Sequence, residues 1–156
     1  MPLDLKIDPE AELCVIRGQR AVTLSEIEGY LSETVRQDVK GYAKLVDMSA
    51  ATLDLDCEGL EEVARGLVRY GSDAAAGPVA IVVTDPLTLD MAVLLKQRVG
   101  DRPFRIFTSV GAANEWLQSY RETVRLPTMP NRAHRARSGL RTVGPARVPF
   151  RSHRQG

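Results

Sequence analysis

The stretch Pro78-Val79-Ala80-Ile81-Val82-Val83-Thr84-Asp85-Pro86 decides the fold class. An unbroken apolar run of this length reads as a strand covered on both faces, the pattern of a central strand in a parallel sheet. Asp85-Pro86 reads as a helix N-cap followed by proline at the first helical position, where the missing N–H is not needed. Leu87, Met91, Leu94, Leu95 and Val99 are then expected on the buried face of that helix. Downstream, Phe104-Arg105-Ile106-Phe107 reads as a last strand. Ser109 caps a last helix that turns Ala112, Ala113, Trp116, Leu117 and Tyr120 inward.

Upstream, the same strand–helix unit recurs. Ala43-Lys44-Leu45-Val46-Asp47-Met48 reads as a strand, and residues 57–70 as a helix. That helix carries Leu60, Val63, Ala64, Leu67 and Val68 on one face, with Gly71 suited to its C-terminal cap. Glu61 and Arg65 are spaced for a helical ion pair. Thr23-Leu24-Ser25-Glu26 is a capping box opening a helix whose stripe is Ile27, Tyr30, Leu31 and Val35, ending before Gly41. Leu3, Leu5 and Ile7 alternate with charged residues as a half-buried strand. A second strand centres on Leu13-Cys14-Val15-Ile16 and is expected to close at Gly18, the two forming a hairpin. Residues 72–77 read as a loop insertion. The order is ββαβαβαβα, an α/β fold with a mixed, largely parallel sheet packed by helices.

Charge divides the chain. Residues 1–122 carry a net −7, whereas residues 123–156 carry eight Arg and no acid. The helical pattern fails after Arg121, and Pro127, Pro130, Pro145 and Pro149 punctuate the C-terminal segment. The reading is an α/β domain over 1–122 and a basic, mostly disordered C-terminal tail over 123–156.

Several activities are disfavoured. Two cysteines, Cys14 and Cys57, and two tail histidines, His134 and His153, cannot build a Cys/His zinc site in the body. No GxGxxG or GxxxxGK[ST] occurs, and no nucleophile–base pair can be assembled without a histidine in the body. Asp47 and Thr84 would suit metal-assisted aspartyl phosphorylation, but the acidic pair and the lysine which that chemistry needs are missing from the strand ends. No apolar run approaches the roughly 20 residues that span a bilayer, and the start lacks a signal-peptide pattern. The expectation is a cytoplasmic chain with reduced thiols, no catalytic residue, no metal and no cofactor.

Particular residues on this framework resemble the STAS domain family, and most closely the bacterial SpoIIAA-like stand-alone proteins. They are Val22-Thr23-Leu24-Ser25-Glu26-Ile27, Leu45-Val46-Asp47, Thr52-Leu53-Asp54-Leu55, Val79-Ala80-Ile81-Val82, and Arg105-Ile106-Phe107 with Ala112-Ala113-Asn114-Glu115-Trp116-Leu117. The resemblance covers roughly residues 1–120 and implies a non-enzymatic protein-interaction module. In the family's anti-sigma antagonists an Asp-Ser-Ser-Gly turn at the start of the second helix bears the phosphoacceptor. Asp56-Cys57-Glu58-Gly59 occupies that turn here, displaced by one residue. The acceptor position falls on Glu58, or on Cys57 if the register slips; neither is Ser or Thr. The fold also implies an alternative, a small-molecule or lipid carrier with a pocket beside the second and third helices.

Glu58 admits two roles at a helix start: part of the cap, or a permanent negative charge where relatives carry phosphate. Cys57 is expected to be inert and partly buried, since Asp54, Asp56, Glu58, Glu61 and Glu62 oppose a thiolate. Thr84 and Asp85 lie at a strand's C-terminal end, where open α/β sheets bind ligands, though Asp85 equally reads as a cap. In the tail, Arg132, Arg135, Arg137, Arg141, Arg147, Arg151 and Arg154 suit weak, salt-dependent contact with nucleic acid or another polyanion. The expected partner is another protein, with a homodimer and a tail-bound nucleic acid as alternatives.

Overall fold

In the computed structural model, residues 3–71 and 76–125 are described. They form β1 (Leu3–Asp8), β2 (Leu13–Thr23), α1 (Leu24–Arg36), β3 (Ala43–Asp54), α2 (Cys57–Gly71), β4 (Val79–Val82), α3 (Pro86–Arg98), β5 (Phe104–Phe107) and α4 (Val110–Arg125). The five strands form one sheet in the order β1-β2-β3-β4-β5. The β1–β2 hairpin is antiparallel and every other pairing is parallel. The element order and the mixed, mostly parallel sheet are those expected from the apolar periodicities.

Side chains alternate across the sheet and build two cores. Ala43, Leu45, Ala80 and Val82 pack with Ala113 and Leu117 of α4. Val79, Ile81, Val83 and Met48 point to the other face, where they meet Ala92 of α3 and Ile27 of α1. All four residues of β4 are buried, as its unbroken apolar run requires. Among the described residues no helix is long and apolar enough to cross a membrane.

Two strands run further than their local sequence signals. β2 continues through Gly18 to Thr23, with a register shift between Arg17 and Gln19. A Cβ on Gly18 would lie 2.7 Å from Met48 Sδ and 2.8 Å from the Ala51 Cβ. This glycine marks a close approach of two strands, not a stop. β3 likewise passes Met48 to reach Asp54, because the prolonged β2 supplies its ladder from Gln19 to Thr23. Its other edge is held by side chains: Thr84 Oγ1 donates to the Ser49 carbonyl at 3.0 Å, and the Leu53 N–H donates to Thr88 Oγ1 at 3.2 Å.

The helices also depart in detail from their expected faces. Val35 of α1 and Val68 of α2 are exposed, and Thr34 is buried in place of Val35. α3 is turned by one position, so that Thr88, Ala92 and Leu95 are buried while Leu87 is 62% and Leu94 43% exposed. In a helix apolar on every side, periodicity does not choose the face; the sheet does. Ala112 is exposed on α4. α4 runs past Arg121 at least as far as Arg125, since each added residue gains a backbone hydrogen bond. Glu61 pairs with Arg98 of α3, and Glu62 takes Arg65, so the expected Glu61–Arg65 pair is absent. Tertiary packing brings a second helix within reach of Glu61 and redirects it.

Candidate partner-binding surface at the start of α2

The turn into α2 is built by its own residues. Asp56 Oδ1 accepts the Gly59 N–H at 2.7 Å and so caps the helix. Gly59 is buried, and a Cβ there would stand 3.1 Å from that carboxylate and 3.4 Å from Leu55 Cδ2. Asp56, Cys57 and Glu58 are exposed. The cap belongs to Asp56; the Glu58 carboxylate sits in the first turn, where the helix dipole favours it. Both cysteines are free thiols; Cys14 is buried, whereas Cys57, expected to be partly buried, is exposed in the first turn of α2.

The start of α1 lies beside this turn. The Glu26 carboxylate reaches back to accept the Thr23 N–H at 2.8 Å, completing the capping box read from the sequence. Thr23, Ser25, Asp54, Asp56, Glu58 and Glu62 together border a depression of about 620 Å³. Two helix N-termini thus face one acidic, hydroxyl-rimmed surface. The positive helix ends offset part of the repulsion among its four carboxylates. Among the described residues no cluster of His, Cys, Asp and Glu has the arrangement of a metal site.

Thr84 and Asp85 come together with Arg20, Ser49 and Thr52 around a groove of about 560 Å³. Their side chains are engaged structurally. Thr84 is tied to Ser49, and Asp85 Oδ2 accepts both the Thr88 N–H and its hydroxyl at 2.8 Å. The Thr88 N–H, with its hydroxyl, holds the Asp85 carboxyl below the usual carboxylate range. The tail positions Arg132, Arg135, Arg137, Arg141, Arg147, Arg151 and Arg154 lie outside the described residues.

A third cluster escaped the sequence reading. Lys44, on β3, is 1% exposed. Its Nζ donates to the carbonyls of Val39, Lys40 and Tyr42 at 2.7, 2.6 and 2.6 Å. The Tyr70 ring lies 5.7 Å from that nitrogen and 5.4 Å from the Arg102 guanidinium carbon. Burial pushes the Lys44 ammonium down to about 8 and the neighbouring Cys14 thiol up. The one available signal was a lysine inside an apolar strand run, Ala43-Lys44-Leu45-Val46. The ammonium ties down the α1–β3 loop by donating to three of its carbonyls, two of which, those of Val39 and Lys40, also accept the backbone N–H groups of Tyr42 and Gly77.

No protein-family model matches the chain, and no curated protein matches it. Solved structures do. An uncharacterised protein with a SpoIIAA-like fold from Shewanella loihica aligns over 74% of this chain and 91% of its own, at 15% identity and a TM-score of 0.52. A candidate anti-sigma factor antagonist from Thermotoga maritima aligns over 74% and 94%, at 13% identity and a TM-score of 0.52. The chain has a STAS-like fold. In this STAS-like domain the Asp56-Cys57-Glu58-Gly59 turn opens the second helix, the position that its resemblance to the family implied. At such low identity the likeness is one of architecture and leaves the chemistry of the surface to its own residues.

Proposed function

We propose that this chain is a non-enzymatic STAS-like regulatory module that binds another protein through the exposed start of α2. The observation that carries the reading is the division of labour at that turn. Asp56 caps the helix, which leaves the exposed Glu58 charge outside the cap. Glu58 then serves as a fixed negative charge, a partial substitute for a phosphate of nearly −2 with its three acceptor oxygens. Asp54 and Asp56 extend the acidic surface, so the partner presents basic side chains. The Thermotoga neighbour supports the class of function, and the absence of a histidine from residues 1–122 accords with a non-enzymatic role.

The test is purification of the full-length chain from its own cells as wild type, Glu58→Lys, and a control, Glu115→Lys on α4. A protein that co-purifies with wild type and control, and is lost with Glu58→Lys, supports the reading. Equal recovery with all three, or turnover of any substrate by the purified chain, sinks it. A second reading rests on the charge of residues 123–156, which carry eight Arg and no acid. On that reading the tail binds a polyanion such as RNA. Its affinity would fall steeply between 50 and 200 mM salt, and deleting residues 126–156 would abolish it.

A further inference from the structure

Three of the five large apolar side chains exposed among the described residues, Leu87, Val93 and Leu94, lie on α3. The half-buried Met91 stands between Leu87 and Leu94. At about 3.6 residues per turn, the steps from Leu87 to Met91 and from Met91 to Leu94 follow one line along the outer flank of the helix. The next step along that line reaches Arg98, which is exposed and paired with Glu61 of α2. Val93 lies about a third of a turn away from it. The exposure of Leu87 and Leu94 leaves the line uncovered by the described elements.

This line is complementary to a second copy of itself. Two α3 helices running antiparallel, about a two-fold axis between Ala92 and Val93, set Met91 of each copy against Leu94 of the other. Leu87 then meets Arg98 of the other copy, and the methylene stem of an arginine covers a leucine while its charge stays in water. The guanidinium lies over the first half of the opposing helix, which carries the exposed Asp90. A parallel pair would bring Arg98 against Arg98 and Asp90 against Asp90, with like charges facing.

We propose that this chain forms a two-fold dimer through the outer line of α3, antiparallel and with the same residues contributed by both copies. A helix of 13 residues is about 20 Å long and about 10 Å across. The contact is therefore far smaller than the roughly 800 Å² per partner of a stable complex. The dimer belongs to the weak class, with a Kd on the order of 0.1 mM. It does not involve Glu58, so its test is independent of the partner-binding reading.

The experiment is sedimentation equilibrium of the full-length chain from about 10 μM to about 1 mM, a range that brackets that Kd. Monomer is expected at the low end and dimer at the high end. Leu94→Asp puts a charge into the contact without touching the core, and should raise the Kd by about tenfold or more. Val93→Asp and Glu58→Lys should leave it unchanged. For the register, two Cys57→Ser proteins are compared, one carrying Met91→Cys and the other Leu94→Cys. Under mild oxidation their mixture should form a disulfide-linked dimer faster than either protein alone. Monomer throughout the range, no effect of Leu94→Asp, or an equal loss with Val93→Asp would overturn the proposal. A dimer lost at ~0.5 M salt yet indifferent to Leu94→Asp would be a charge contact elsewhere and would overturn it too. So would faster cross-linking of either cysteine variant alone than of the mixture.

Discussion

Lys44 stands where a strand covered by helices ordinarily carries an apolar side chain. At neutral pH its ammonium is charged in both folded and unfolded chains. The folded chain releases that proton near pH 8, and the unfolded chain keeps it to about 10.5. Between these values the unfolded state binds more protons, so this group makes stability rise with pH. Cys14 acts in the opposite sense: its raised thiol pKa means that the unfolded chain ionises first, lowering stability as pH climbs beyond about 9. Comparing wild type with Lys44→Met isolates the lysine. Relative to the variant, wild type should gain on the order of 3 kcal/mol between pH 8 and pH 10.5, read from urea unfolding at several pH values. A constant difference would mean that the three carbonyls hold the ammonium at its ordinary affinity. Gly18 is the other residue whose role is steric. Gly18→Ala should destabilise by about 1–3 kcal/mol, because Met48 and Ala51 occupy the space its Cβ would need.

Among the elements, α3 shows most clearly how packing overrides pattern. Its buried line is Thr88, Ala92 and Leu95, with Leu94 turned outward. Leu94→Ser should therefore change stability by no more than about 0.5 kcal/mol, whereas Leu95→Ala should cost about 2–5 kcal/mol; thermal unfolding of the two variants decides between this face and the one read from periodicity. The start of α3 is also a joint. Asp85 holds Thr88, and the Thr88 hydroxyl receives the Leu53 N–H of β3. Thr88→Val would leave that N–H and one lone pair of Asp85 without their partner, at a cost of about 1–3 kcal/mol. Hydrogen exchange at the Leu53 amide should speed up in this variant before global stability is lost. Unchanged exchange there would show that the joint does not hold the end of β3.

For the whole molecule, the two free cysteines report on its integrity. Cys57 is exposed at the start of α2, and Cys14 is buried between the sheet and α1. An aromatic disulfide reagent should titrate one thiol in the native protein and two after denaturation, with Cys57→Ser reducing the native count to none. Rapid titration of both thiols in native conditions would contradict the closed packing around Cys14. The same packing carries a small apolar cavity and the buried Lys44 on one side of the sheet, while α4 seals the other side.

The order of strands and helices was legible in the sequence because each element advertises itself locally. The apolar run at Val79–Val82, the Asp85-Pro86 start and the Thr23–Glu26 box act over a few residues, and the structure keeps all three. The turn at Asp56-Cys57-Glu58-Gly59 was legible as the start of α2 for the same reason. What required the tertiary structure was every choice between neighbours distant in sequence. Glu61 takes Arg98 across a helix interface, Gly18 permits a strand crossing that it was expected to end, and α3 selects one of several apolar faces. Asp56 and Glu58 both suit a helix start, and only the geometry assigns the cap to Asp56. Periodicity records which residues prefer to leave water. Distances between elements decide which of them do, what they touch, and where a space is left unfilled.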